Sequence, residues 1–525
     1  MYDAIIIGAG HNGLVCASYL ARAGLKVAVF ERRDIVGGMC VSEEIWPGYK
    51  LSTGAYVISL FKRKFINDLK LEKFGFKAYL KDPMIFIPFK NMRYFYLWSS
   101  LEKTKKEIEK FSKKDALAYE KYDRFFATFA DIVEFLMMNP PLRLDDIDSV
   151  FEFLKNSYPV FKEYLKEFGI EEIQRVFLTD AKTLLDEYFE SDEVKAALVE
   201  DAIIGSMMGP STPGSAYLMA HHEIGEVNGV KRAWGYVEGG MGGLTLALRK
   251  AAEHFGVDIF TQTQVKKIIV RDNRAVGIEL DNGKTFQSKI VVSNADPKTT
   301  FLKLIDQDLV PKDIRKRIEL LKSKGIAFKI VGIIEELPDY VGLGKTLGPH
   351  HVSSALVLPS MEYAERAFRD ALNNTPSKEP VLSINIQSSV DKTVTKDDKH
   401  VISIYAQYAP YDKNWDERKD EYTELIIDTI RQYAPNFKLE KHLSLSPLDL
   451  ERRFGATEGN IFHIDMSLDQ LYNLRPHPSM SNYATFIDNL YICGSGAHPG
   501  GGVSGIPGYN AAMRILNDLS NGKIK

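Results

Sequence analysis

The segment "YDAIIIGAGHNGLVCASYLARAGLKVAVFERRD", Tyr2 to Asp34, decides how the rest of the chain is read. It opens with a short apolar run ending at Ile7, as suits a strand buried in a parallel sheet, and then turns through Gly8, Gly10 and Gly13. A helix follows with Leu14, Ala17, Leu20 and Ala21 on its apolar face. Gly24 stops it, and Lys26 to Phe30 forms a second buried strand ending at Glu31. This is a βαβ unit. Gly8 permits the tight turn, Gly10 lets the backbone approach a pyrophosphate at the helix N-terminus, and Gly13 lets helix and strand pack closely. His11 and Asn12 lie in the turn beside that phosphate, and Glu31, followed by Arg32, can accept hydrogen bonds from a ribose.

Gly37 and Gly38 follow six residues after Glu31, a spacing that NAD-binding units lack and that resembles the FAD-binding fold of the amine oxidase and phytoene desaturase type. FAD is favoured over NAD. The far end of the chain repeats the logic. In "NLYICGSGAHPGGGVSGIPGYNAAMRILNDL" an apolar strand, Leu490 to Cys493, enters a loop with seven glycines between Gly494 and Gly508, and a helix is expected from about Tyr509 to Leu519. A helix start with free amides favours negative charge. A flavin gains such charge near N1 and the C2 carbonyl on reduction, so Gly494, Gly501, Gly502 and Val503 are expected beside the ring. His498 is the titratable side chain of this loop and the candidate catalytic residue; the alternative is a His-Pro turn element.

At 525 residues the chain exceeds the roughly 250 to 300 at which one core stops growing, so two or more domains are expected. A net charge of −3 on this length gives no pull on polyanions, which argues against nucleic acid. Cys16, Cys40 and Cys493 have no CxxC-like spacing, which argues against a disulfide framework, a zinc site and a dithiol redox pair. No apolar run approaches the roughly 20 residues needed to cross a bilayer, and "MYDAIIIGAG" enters a strand with no room for a targeting segment. The expected location is the cytoplasm, in solution or at a membrane surface.

Together with these ends, "TPGSAYLMAHHEIGEV" (Thr212 to Val227), "AWGYVEGGMGGL" (Ala233 to Leu244), "VVSNADP" (Val291 to Pro297) and "GNIFHIDMSLDQL" (Gly459 to Leu471) resemble the phytoene desaturase-like FAD-dependent oxidoreductases. The resemblance is strongest to the branch of pyridine nucleotide-disulfide oxidoreductase domain-containing protein 2. It implies tightly bound FAD and an α/β fold, with a Rossmann-like FAD-binding domain built from separated segments, an α+β substrate domain and a helical lid region. The expected FAD-binding segments are 1–80, 228–300 and 456–525, with the substrate domain in 81–227, largely helical, and 301–455, the sheet part. By the same resemblance, the glycine loop carrying Gly240 and Met241 lies on the flavin's other side, and Val265 lies near the adenine.

In the middle, the Lys-rich "EKTKKEIEKFSKK" reads as a solvated helix face. The next helix carries Phe125, Phe129, Ile132, Val133 and Leu136 on one stripe, read first as core and alternatively as a lid over an apolar tunnel or a membrane foothold. Val257 to Val292 alternates apolar and polar residues around "RDNR" and "DNG", as strands returning to the FAD-binding domain do. "GLGKT" has Asp339 where a P-loop needs its first glycine, and adjacent His221 and His222 lack further ligands at useful spacing, so no metal is expected.

The expected function is an FAD-dependent oxidoreductase passing a hydride between a carbon centre of a small lipophilic substrate, isoprenoids included, and flavin N5, with quinone or oxygen as electron acceptor. The alternatives are a flavin amine oxidase and a non-catalytic escort protein on the same fold.

Overall fold

The computed structural model describes residues 1–142 and 147–524. Its first sheet is parallel at heart. Strand Tyr2–Ile7 lies between Val27–Phe30 and Thr285–Ser293, with Asp258–Phe260 outside the former and Leu490–Ile492 outside the latter. Three separated stretches of chain thus make one layer. Strands Val265–Arg271 and Arg274–Leu280 run antiparallel beside the opening half of Thr285–Ser293, with turns where "RDNR" and "DNG" stand. Helix His11–Arg22 covers one face with Asn12 to Ala21 buried, and helix Ile506–Ser520 packs on it. Gly508 makes that crossing close, because a Cβ there would stand 2.1 Å from the Asn12 carbonyl.

The second sheet has seven strands in the order Lys441–Leu445, Ala327–Ile334, His400–Gln407, Val381–Asn385, Ser354–Val357, Ile85–Pro88 and Tyr94–Leu97. It is antiparallel except where Ser354–Val357 runs parallel to Ile85–Pro88. The last two strands come from a part of the sequence expected to be mostly helical. They are short and follow a cluster of turn residues, so periodicity gives them little signal.

Among the described residues between Leu101 and His222 the chain is mainly helical. The stripe on helix Lys113–Met138 faces inward: Phe125, Phe129, Ile132 and Val133 are buried and Leu136 is half-buried. Phe125 meets Phe168 edge-on at 5.3 Å, and Phe129 meets Phe177 at 5.9 Å. The stripe is core, which corrects its reading as a membrane foothold. Among the described residues no helix is long and apolar enough to cross a membrane.

Candidate functional site

A cavity of about 570 Å³ runs along the C-terminal edge of the parallel sheet. Gly8, Gly10, His11, Asn12, Glu31, Arg32, Gly37, Gly38 and Val265 line it, and so bring nine expected positions to one place. The Phe30 carbonyl accepts from Gly8 N–H at 2.8 Å, and the helical ladder starts only with Leu14 N–H to the Gly10 carbonyl. The amides ahead of Leu14 are those a helix leaves for an anion. Glu31, 7% exposed, accepts from Ala9 N–H through Oε2 and from Arg33 N–H through Oε1, both at 2.9 Å. Its carboxylate pins the glycine turn and keeps lone pairs for a ribose hydroxyl. Arg32 reaches across to the carbonyls of Arg452 and Arg453, closing the cavity with helix Pro447–Phe454.

The lining fits a dinucleotide. A Cβ on Gly10 would come within 2.8 Å of Asn294 Nδ2, so the turn is already filled to the width of a bare backbone. His11 Nε2, Asn12 Oδ1 and His463 Nδ1 are buried without hydrogen-bond partners, and all three side chains line this cavity. Buried polar atoms left open in one channel mark where a ligand's polar groups go. Burial pushes the His11 ring down to about 4, with His463 adding to it, so the turn holds a neutral imidazole.

A second cavity of about 130 Å³ adjoins the first, and His11, Met39, Ile461 and Ser495 line both. Its other walls are mainly apolar, with Ala55, Ile204, Ala327, Leu450, Phe462 and Val503 among them. The polar groups of these walls are Thr53, Tyr56, Tyr405 and, most unusual of them, Lys329. It stands on Ala327–Ile334, is 3% exposed, donates to Ser403 Oγ and holds Nζ 3.8 Å from the centre of the Tyr56 ring. Burial drives its ammonium well below the usual lysine range. Its strand is a near-continuous apolar run, AFKIVGII, in which this lysine was not singled out from the sequence.

The C-terminal loop divides between cavity lining and packing. Gly502 and Val503 line the apolar cavity, whereas Gly494 packs on Asn294 and His463, and Gly501 lies against the Phe462 ring. Most of the loop's glycines meet protein atoms where a Cβ would stand, so it lies thin between helix His11–Arg22 and the segment around Phe462. Gly240 and Met241 also stand behind the wall: Ser52 Oγ accepts from Met241 N–H at 3.0 Å and Ser42 Oγ from Gly242 N–H at 2.9 Å. They brace the Gly37–Gly54 segment. Gly13 is a packing position, its Cβ site 2.3 Å from the Gly8 carbonyl.

His498 lines neither cavity. It is buried, its Nε2 lies 2.9 Å from the Leu136 carbonyl and its ring 5.6 Å from that of Tyr472. Burial lowers its basicity to about 4. Through these contacts the ring supports the loop. His221 and His222 bond the carbonyls of Gly501 and Asp201. Arg475 was not anticipated: fully buried, it donates to the carbonyls of Phe462, Ile464, Asp465, Gln470 and Ser495. It ties the 459–475 segment to the floor of both cavities. Cys16 and Cys493, far apart in sequence, lie within hydrogen-bond reach deep in the core.

Residues 13–331 match the model of the family of flavin containing amine oxidoreductases. The chain belongs to that family. Pyridine nucleotide-disulfide oxidoreductase domain-containing protein 2 of Rattus norvegicus is 39% identical over 548 residues, covering 99% of this chain and 94% of that protein. The lycopene-forming phytoene desaturase of Pseudescherichia vulneris is 24% identical over 543 residues, covering 99% of each chain. The crystal structure of an oxidoreductase from Methanosarcina mazei has the same fold, with a TM-score of 0.62 at 16% identity over 98% of this chain and 99% of that one. The protein is an FAD-dependent oxidoreductase with desaturase-like relatives.

Proposed function

We propose that the protein transfers a hydride between a carbon centre of a lipophilic substrate and flavin, in the apolar cavity beside Lys329. The carrying observation is the chemistry of that lining: among its described residues there is no carboxylate, and the face of Tyr56 is taken by the chain's own amine. An ammonium substrate would find no counter-charge and would have to displace Lys329 from the ring. A hydrocarbon or allylic carbon meets Ile204, Leu450, Ile461 and Phe462 at no such cost. The flavin, when bound, supplies the hydride acceptor or donor.

The chain's own residues hold FAD by the Gly8 to Asn12 turn, Glu31, Arg32, Gly37, Gly38 and Val265. The apolar walls exclude water and orient the substrate. Lys329, its basicity lowered by burial, stands ready to hold a proton at Nζ. Quinone or oxygen serves as electron acceptor.

The test is anaerobic mixing of the FAD-loaded protein with a panel of isoprenoid hydrocarbons and alcohols beside primary and secondary alkylamines. Bleaching of the flavin band by isoprenoids and not by amines is expected. Bleaching by amines alone would overturn the reading in favour of an amine oxidase.

A further inference from the structure

The apolar cavity holds a donor that the chain leaves partly unused. Lys329 stands opposite Tyr405 in the pairing of Ala327–Ile334 with His400–Gln407, and Ala327, two residues before it, lines the same wall. The strand is paired along both edges, so the amine is carried on fixed backbone. A lysine has three protons to donate. Ser403 Oγ takes one, and Nζ stands 3.8 Å from the centre of the Tyr56 ring. Among the described residues no further oxygen accepts from Nζ. Tyr405 and Thr53 are engaged elsewhere: the Tyr405 hydroxyl donates to Gln407 Oε1 at 2.7 Å and accepts from Gly205 N–H at 3.1 Å, while Thr53 Oγ1 donates to the Glu43 carboxylate.

The charges around the amine give it no anion. Glu43 is taken by Arg33 and, at 2.8 Å, by Arg453. His11, where the two cavities meet, is a neutral ring. Glu200, whose field reaches the Tyr56 and Tyr405 phenols, lies outside the lining, and burial raises it to about 7. Burial therefore lowers the basicity of Lys329 with no opposite charge to restore it. An apolar side chain would fill this space at less cost.

A ligand can supply what the walls lack. An amine would add a second cation, and an alcohol would gain one neutral hydrogen bond. A phosphate carries more charge than one lysine can meet. A carboxylate matches the site: one negative charge beside one amine, with the rest of the molecule free to be apolar.

We propose that Lys329 anchors a carboxylate head group, so that the substrate is a lipophilic carboxylic acid whose chain lies along Ile204, Leu450, Ile461 and Phe462. This names the substrate class of the hydride transfer proposed above and rests on that reading. No covalent bond changes in the anchoring. The acid arrives ionised, and Nζ takes one proton from solvent to become the ammonium that pairs with it. Holding the head at one point fixes which carbon along the chain can react.

Binding to the FAD-loaded protein tests this without turnover. Geranic acid, its methyl ester, geraniol and geranylamine differ at the head and share a chain. Each is titrated at pH 8, where the acid is ionised, with the flavin absorbance as readout and calorimetry in two buffers of different ionisation heat to count protons. The acid should bind at least about tenfold more tightly than the ester or the alcohol, and should take up a proton that neither of them does. Lys329→Met and Lys329→Gln should each weaken the acid by about 100-fold or more, leave the alcohol within about threefold, and abolish the proton uptake. The glutamine keeps a donor for Ser403 without a charge, so its failure to bind the acid separates charge from shape. Equal affinity for acid and ester, binding without proton uptake, or undiminished acid binding in both variants would each overturn the proposal. If the isoprenoid panel bleaches the flavin while the acid shows no such preference, the anchor fails and the hydride reading stands. If the acid binds through Lys329 while no isoprenoid bleaches the flavin, the hydride reading fails and the anchor stands.

Discussion

At the nucleotide end of the FAD cavity the glycine turn, Glu31 and the Gly37–Gly38 pair come from one stretch of chain, and Val265, Asn294 and His463 join them from elsewhere. At the substrate end Tyr56, Ile204, Lys329, Tyr405, Ile461 and Val503 arrive from separate segments. The first end offers a ligand backbone amides and one carboxylate, and its geometry depends on side chains that are absent. The second offers side chains held in place by other side chains. An added atom should therefore ruin the first end, whereas a removed atom should loosen the second.

The sharpest test of that contrast is Gly10→Val. Its Cβ would meet Asn294 Nδ2 at 2.8 Å and occupy the pyrophosphate's approach. The protein should emerge from desalting without flavin, as absorbance against total protein shows. Retention of one FAD per chain would break the assignment of the turn. Thermal unfolding should also occur at a lower temperature, because a ligand bound only to the native state stabilises it by mass action.

Arg475→Met is the counterpart at the other end. It removes the donor shared by five carbonyls and leaves them buried, a loss of about 3 to 5 kcal/mol, the range for breaking a buried charged contact. Chemical denaturation of the apoprotein reads this directly. A midpoint within error of wild type would show that the carbonyls find water, and that the substrate end is looser than its packing implies.

The same contrast explains how much of the molecule was legible in its sequence. The βαβ unit was readable because a strand, a glycine turn, a helix and a terminal acid follow one another, and each has a local physical reason. The meander from Val265 to Ser293 was readable from alternation and turn residues. Lys329 was hidden because a lysine on a strand normally faces water, and only the sheet order reveals that both faces of Ala327–Ile334 are covered. For His498 the sequence shows its loop and not the carbonyl of Leu136 that its ring meets.

Lys329→Met sharpens the comparison by pH. In the folded protein this amine loses its proton well below 10.5, whereas in the unfolded chain it keeps it up to about 10.5. Between those two values the unfolded state binds more protons, so this residue's share of stability rises with pH and is fully restored only above 10.5. Near neutrality the wild type therefore bears a cost that methionine removes. The melting temperature of Lys329→Met should exceed wild type by about 2 °C or more at pH 7, and the gain should shrink toward pH 10.5. A variant less stable at pH 7 would mean that the contacts with Ser403 and Tyr56 outweigh desolvation.

The smallest effect is expected at His498. Its ring reaches the Leu136 carbonyl at 2.9 Å from a loop that Arg475 and the Tyr483 hydroxyl also hold, the latter donating to the His498 carbonyl at 3.2 Å. His498→Ala should therefore cost about 1 to 2 kcal/mol, one buried hydrogen bond with some packing, and leave FAD bound. Because the imidazole lines neither cavity and is held neutral, anaerobic flavin reduction by whichever substrate the panel identifies should stay within about threefold of wild type, far from the 10² to 10⁴-fold loss that follows removal of a positioned acid or base. A loss of that size with normal FAD content would place the ring at the reacting atoms after all, through a movement of the loop on binding. A matching loss in Asn139→Ala, whose side chain donates to the Phe135 carbonyl at the same helix end, would instead trace the effect to the docking of helix Lys113–Met138.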